Sequence, residues 1–185
     1  NESANSGKRW LVNLDEIGPH WKGVMPDALD ARHDTIRRES LWGALMAGAT
    51  GVEWYFGYRY PHNDLTCEDF RSRDNWWEQS TIATQFINRM PVEKMQSTND
   101  LIDAGDGYCF SQKDEIYVVY LPQKTTRCNL EIESDKSYSV QWFNPRMGGE
   151  FQNGSIQSVE GPGTVALGNP PEDTDEDWVV ILKAF

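Results

Sequence analysis

The sequence predicts a fragment of an α/β barrel followed by an all-β antiparallel sandwich, with the change near Asn99. Three observations carry this. Two short, nearly continuous apolar runs flank a helical pattern in residues 1–98. From Asn99 onward the pattern changes to short strands separated by turn residues. The charge balance shifts at the same place: residues 1–98 hold 11 basic and 14 acidic side chains, and residues 99–185 hold 6 and 15.

The run Arg9 to Pro19 (RWLVNLDEIGP) reads as a short apolar strand ending in two carboxylates and a Gly18-Pro19 stop. Continuous apolarity suits a strand covered on both faces, as in parallel sheets. A helix follows, with Asp34 as its cap and Trp42, Leu45, Met46 and Ala49 at i, i+3, i+4 and i+7. Gly48 and Gly51 bracket its end, and Gly51 to Gly57 (GVEWYFG) reads as a second short strand. Strand, helix, strand implies a right-handed crossover between parallel strands. Residues 58–72 form a polar, aromatic-rich loop of a length that is often functional. A second helix spans Asp74 to Met90, with Ile82, Ala83, Phe86, Ile87 and Met90 on one face and Pro91 as its stop. The order β–α–β–α makes about a quarter of an eight-fold barrel.

In residues 99–185 the expected strands are Gly107–Gln112, Glu115–Leu121, Arg127–Ile132, Ser137–Phe143 and Trp178–Leu182. Turn residues at 111–114 and 144–149 separate some of them, the pattern of a small sandwich. Asn169 to Asp177 is an acidic loop whose carboxylate spacing fits no EF-hand, so a solvated charge run is the better reading than calcium.

Composition bounds the function. The net charge of −12 argues against nucleic acid and against anionic membranes, and no apolar run approaches the ~20 residues of a membrane span. Twenty-two aromatic side chains (8 Trp, 7 Tyr, 7 Phe) supply core bulk and also flat platforms for sugar rings. Cys67, Cys109 and Cys128 form no CxxC pair. Cys109 and Cys128 lie in neighbouring expected strands and could pair; the odd count leaves a thiol free, so cysteine usage does not fix the compartment. No nucleotide, haem or zinc motif is present, and no cofactor is expected. Asn1 to Gly7 reads as a loop, not a signal peptide, and the chain is expected to begin in mid-protein.

The run RRESLWGALMAGATGVEWYFGYRYPHNDLTCEDFRSRDNWWEQSTIATQFI resembles the end of the barrel in a group of bacterial glycoside-hydrolase-like proteins. Those barrels are similar to the clan with catalytic glutamates at the ends of strands 4 and 7. The runs VQWFNPRMGGEF and DEDWVVIL resemble the small module behind such barrels, catalogued as a collagen-binding domain of a collagenase. The resemblance implies that Trp10–Glu16 is strand 7 and Gly51–Phe56 is strand 8. Strands 1 to 6 would come from a missing N-terminal part or another chain. It further implies a secreted, extracellular or periplasmic glycoside hydrolase acting on a carbohydrate, with Glu16 matching the nucleophile and the acid/base residing elsewhere.

The residues themselves leave choices open. Barrel enzymes react at the C-terminal ends of strands, where Glu16 sits, with Asp15 on the opposite face as the other candidate. Either carboxylate could instead accept loop amides or pair with Arg32 or Arg37. His20, Trp21, Arg32 and His33 follow in the loop as candidate substrate contacts. In the second strand Glu53 and Tyr55 share a face, and Val52, Trp54 and Phe56 take the other. The resemblance favours Trp54, then Tyr55, as an aromatic floor for a sugar, against core packing. Tyr58, Arg59, Tyr60 and His62 could border the same cleft. In the sandwich, Trp142 and Trp178 read as core anchors and Asn144-Pro145 as a turn, with a binding patch as the alternative. The parent molecule is therefore expected to be an enzyme, the sandwich a brace, and this chain alone inactive.

Overall fold

The computed structural model describes residues 6–8, 10–17, 20–66, 68–123 and 128–185. The Gly18-Pro19 stop, Cys67, and the expected strand starts at Arg9 and Arg127 lie outside the described residues. The chain divides into two compact units, Asn1–Leu45 with Ala49–Gln85, and Met46–Gly48 with Phe86–Phe185.

In the first unit, strand β1 (Asn13–Leu14) pairs in parallel with β2 (Gly51–Val52), Asn13 opposite Gly51 and Leu14 opposite Val52. The amides of Thr50 and Glu53 extend the pairing to the carbonyls of Val12 and Leu14. A Cβ at Gly51 would stand 2.5 Å from Asn13 Oδ1, a side-chain end that can turn aside. Helix α1 connects the strands as a wide π-helical stretch, Ile36–Trp42, continued by an α-helical turn, Gly43–Met46. Trp42 and Met46 of the predicted stripe are fully buried, while Leu45 and Ala49 are half-buried. Helix α2 (Asp74–Ile87) follows a 3₁₀ turn at Phe70–Arg73, and Trp76 and Ala83 lie buried along it.

The expected strands shrink to two residues each. The apolar run that predicted a strand covered on both faces is instead open: Trp10, Leu11, Val12 and Leu14 are exposed, Leu11 to 85%. Among the described residues β1 and β2 pair only with each other, which leaves each with an unpaired edge.

The second unit is a sandwich of antiparallel sheets, and it holds most of the regular structure of the chain. A six-stranded sheet runs in the order β3 (Gln96–Ser97), β5 (Tyr108–Gln112), β6 (Ile116–Leu121), β11 (Trp178–Ala184), β8 (Ser137–Phe143), β9 (Ser158–Glu160). A three-stranded sheet, β10 (Gly163–Ala166), β7 (Asn129–Ile132), β4 (Ile102–Asp103), completes it. Alternate residues of β6, β7, β8 and β11, among them Tyr117, Leu130, Trp142 and Trp178, meet in one core. The opposite parity of β6 and β11 is buried as well, and Phe86 at the end of α2 packs on Phe143 at 4.8 Å between ring centres. Cys109 and Cys128 are free thiols in the sandwich core, and burial pushes them up to about 11 and about 12.

Candidate functional site

Because β1 and β2 run parallel, the chain leaves both from the same end, and the two following loops are laced together there. Val24 N donates to the Tyr55 carbonyl at 2.7 Å, and the amides of Tyr58 and Arg59 both donate to the Trp21 carbonyl at 3.2 and 3.0 Å. Two glycines make that spacing possible. Gly23 and Gly57 adopt left-handed φ values of +50° and +69°, and a Cβ on either would stand 2.1 Å from Tyr55 O or 2.7 Å from Trp21 O. Asn63, buried, ties the second loop from within by donating to the carbonyls of Tyr58 and Tyr60 and accepting from Leu65 N.

This lacing gathers five of the predicted residues. The Tyr55 hydroxyl donates to the His20 carbonyl. The His20 ring meets Trp21 edge-on at 4.8 Å and lies 6.2 Å from Tyr58. Trp21 and Tyr58 remain exposed, at 39% and 52%. Glu16 stands near enough that its charge acts on Tyr55. Partial burial first, then the carboxylates of Asp64 and Glu16, hold the Tyr55 phenol above its ordinary range, so it is neutral at physiological pH. Glu16 itself has φ +49°, an uncommon conformation for a residue with a Cβ and one that concentrates at functional sites. Among the described residues neither Glu16 nor Asp15 has an ion-pair partner, so the expected alternative of pairing with Arg32 or Arg37 is not what the structure holds. Both arginines contact Asp34, at 3.1 and 2.8 Å.

The other predicted residues lie apart from this group. Asp15 and Glu53 are exposed. Trp54 is half-buried with its ring edge-on to Trp76 at 4.5 Å. His33, fully buried, packs on the same Trp76 at 5.5 Å and is held by Asp27, whose Oδ1 lies 2.7 Å from His33 Nε2. A recess of about 270 Å³ opens beside His33, with Ile17, Lys22, Asp30 and Glu39 among its lining residues.

In the sandwich, the WFNPR segment is a clamp. Asn144, buried, accepts the amides of Arg146 and Met147 and sets the turn. Arg146 reaches the backbone carbonyl and carboxylate of Asp177 and lies 5.3 Å from the centre of the Trp178 ring. The Asp177 carboxylate, with no solvent exposure, also accepts the Tyr120 hydroxyl at 3.0 Å. Sequence reasoning missed Asp27, Asn63, Asp64, Arg73 and Asp177. For Arg73 and Asp177 the partners are distant, Val24 lying 49 positions from Arg73, so spacing gives no signal; Asn63, Asp27 and Asp64 have local partners two to eight positions away that the sequence reading did not single out.

Residues 92–183 match the family model described as "Putative collagen-binding domain of a collagenase". Among solved structures, one named "Glycoside hydrolase" is similar over 81% of this chain with a TM-score of 0.61 and 13% identity, which shows a shared fold. The chain covers 36% of that protein's length. No curated protein matches in sequence. The family match lies within the second unit, whose aromatic anchors Trp142, Phe143 and Trp178 are buried. Among the described residues of that unit, the exposed large apolar side chains are Met147 and Phe185.

Proposed function

We propose that the first unit presents part of a carbohydrate site belonging to a glycoside hydrolase, and that the sandwich braces the catalytic domain and binds no glycan itself. The observation that carries this is the grouping of Tyr55, His20, Trp21 and Tyr58 where the chain leaves the parallel strand pair, with Glu16 following the first of those strands. Exposed aromatic faces beside a carboxylate are what a sugar ring requires: apolar stacking for the ring and a nucleophile for its anomeric carbon. In this reading a Glu16 oxygen attacks that carbon, and the glycosidic oxygen leaves with a proton from an acid that this chain does not supply.

The name of the structural neighbour supports the reading. So does the extent of the match, since 81% of the chain exceeds the second unit's share and includes part of the first. The open edges of β1 and β2 and the exposed Trp10 to Leu14 run fit strands 7 and 8 of a barrel whose remaining strands come from the rest of the protein or another chain. A glycosidase of this kind belongs outside the cytoplasm, in an extracellular or periplasmic setting. The family description favours a second reading, in which the sandwich binds a matrix protein or glycan. Buried aromatic anchors in that unit weigh against it.

A glycan array probed with the chain tests the proposal. Binding is expected to persist in Glu16→Gln and to weaken at least tenfold, about 1.4 kcal/mol, in the Trp21→Ala/Tyr58→Ala double variant. In the full-length protein, Glu16→Gln is expected to abolish turnover. Binding that survives the double variant unchanged, or no glycan bound at all, contradicts it.

A further inference from the structure

Arg73 lies at the end of the 3₁₀ turn before α2 and is fully buried. Its Nε donates to the Val24 carbonyl at 2.7 Å, and its Nη1 donates to the His62 carbonyl at 2.8 Å and to Ser72 Oγ at 3.0 Å. The guanidinium lies 4.3 Å from the centre of the Phe56 ring. One planar group thus holds one carbonyl from each of the two loops that carry Trp21 and Tyr58, and rests on the residue that joins β2 to the second loop. The neighbouring backbone is tied in as well: Ser72 O accepts Asp27 N at 2.8 Å, and Asp27 Oδ2 accepts Asn75 N at 2.9 Å.

A buried cation is a costly way to fill space, and an apolar side chain of similar volume is often as stable or more so. Its forked donors, by contrast, fix two acceptors at a set separation, which neither an apolar side chain nor a single ammonium can do. We infer that Arg73 is a positioning residue that holds the two loops in one register and so fixes the spacing of Trp21 and Tyr58. Its consequence for glycan binding rests on the function proposed above; its hold on the loops does not.

The test is amide hydrogen exchange on the full chain with Arg73→Met and Arg73→Lys. Exchange at Val24, Tyr58 and Arg59 is expected to quicken at least tenfold in Arg73→Met and by less in Arg73→Lys, with β6 and β11 unchanged. On the array glycan that the wild type binds best, Arg73→Met is expected to raise the Kd of the folded protein at least tenfold while exchange in β6 and β11 stays unchanged. Unchanged exchange at those three amides overturns the inference, as does a loss of protection spread evenly over the chain in both variants. A wild type that binds no glycan while the exchange result holds removes the proposed function and leaves Arg73's hold on the loops established.

Discussion

Two carboxylates show how environment assigns a role to a residue type. Asp177 is fully buried and spent on Tyr120 and Arg146, which makes it part of the fold. Glu16 is exposed, held at φ +49°, and has no ion-pair partner among the described residues, so its oxygens face solvent. Removing the buried one takes that carboxylate from the Tyr120 hydroxyl and from Arg146, which keeps the Asp177 backbone carbonyl and Asp173. Asp177→Ala is therefore expected to lose about 3 kcal/mol in urea denaturation, the usual scale for breaking a buried ion pair, while glycan binding by the folded protein stays intact. The sequence pointed to the WFNPR run as the sharpest motif of the second half. Its side chains are engaged within the fold, and the residue that completes the clamp, Asp177, sits 31 positions from Arg146, beyond the reach of local pattern.

At the scale of elements, the joint between the two loops is the feature on which the site depends. Gly57 approaches the Trp21 carbonyl too closely for a Cβ and sits at φ +69°. Gly57→Ala is expected to destabilise the chain by about 2 kcal/mol through overpacking and backbone strain and to weaken glycan binding, as read by urea denaturation and by the array. The sequence located β5, β6, β7, β8 and β11 to within a few residues, because each is a run of several apolar positions bounded by turn residues. It missed β3, β4, β9 and β10, which are two to four residues long and mostly exposed or half-buried, so they carry little pattern. The first-unit strands came out shorter than their apolar runs because pairing, not apolarity, defines a strand, and the described chain pairs only two residues of each. Of the proposed site, Glu16 was read at a strand end and Trp21 and Tyr58 in the loops that follow the strands. The buried Arg73 and Asn63 that bond the loop backbone were not, because nothing local marks a polar side chain that becomes buried.

At the scale of the whole chain, the two units differ in how their apolar side chains are used. The sandwich buries its large aromatics in its core, whereas the first unit leaves Trp21 and Tyr58 exposed beside His20 and leaves Trp10, Leu11, Val12 and Leu14 uncovered. The proposed glycan-binding face in the first unit and the proposed structural role of the sandwich fit both patterns. The most direct test is a map of amide chemical shifts during titration with the glycan selected on the array. The account predicts shifts concentrated at Trp21, Lys22, Tyr55, Tyr58 and Arg59; shifts confined to the β5–β11 strands and their turns would contradict it.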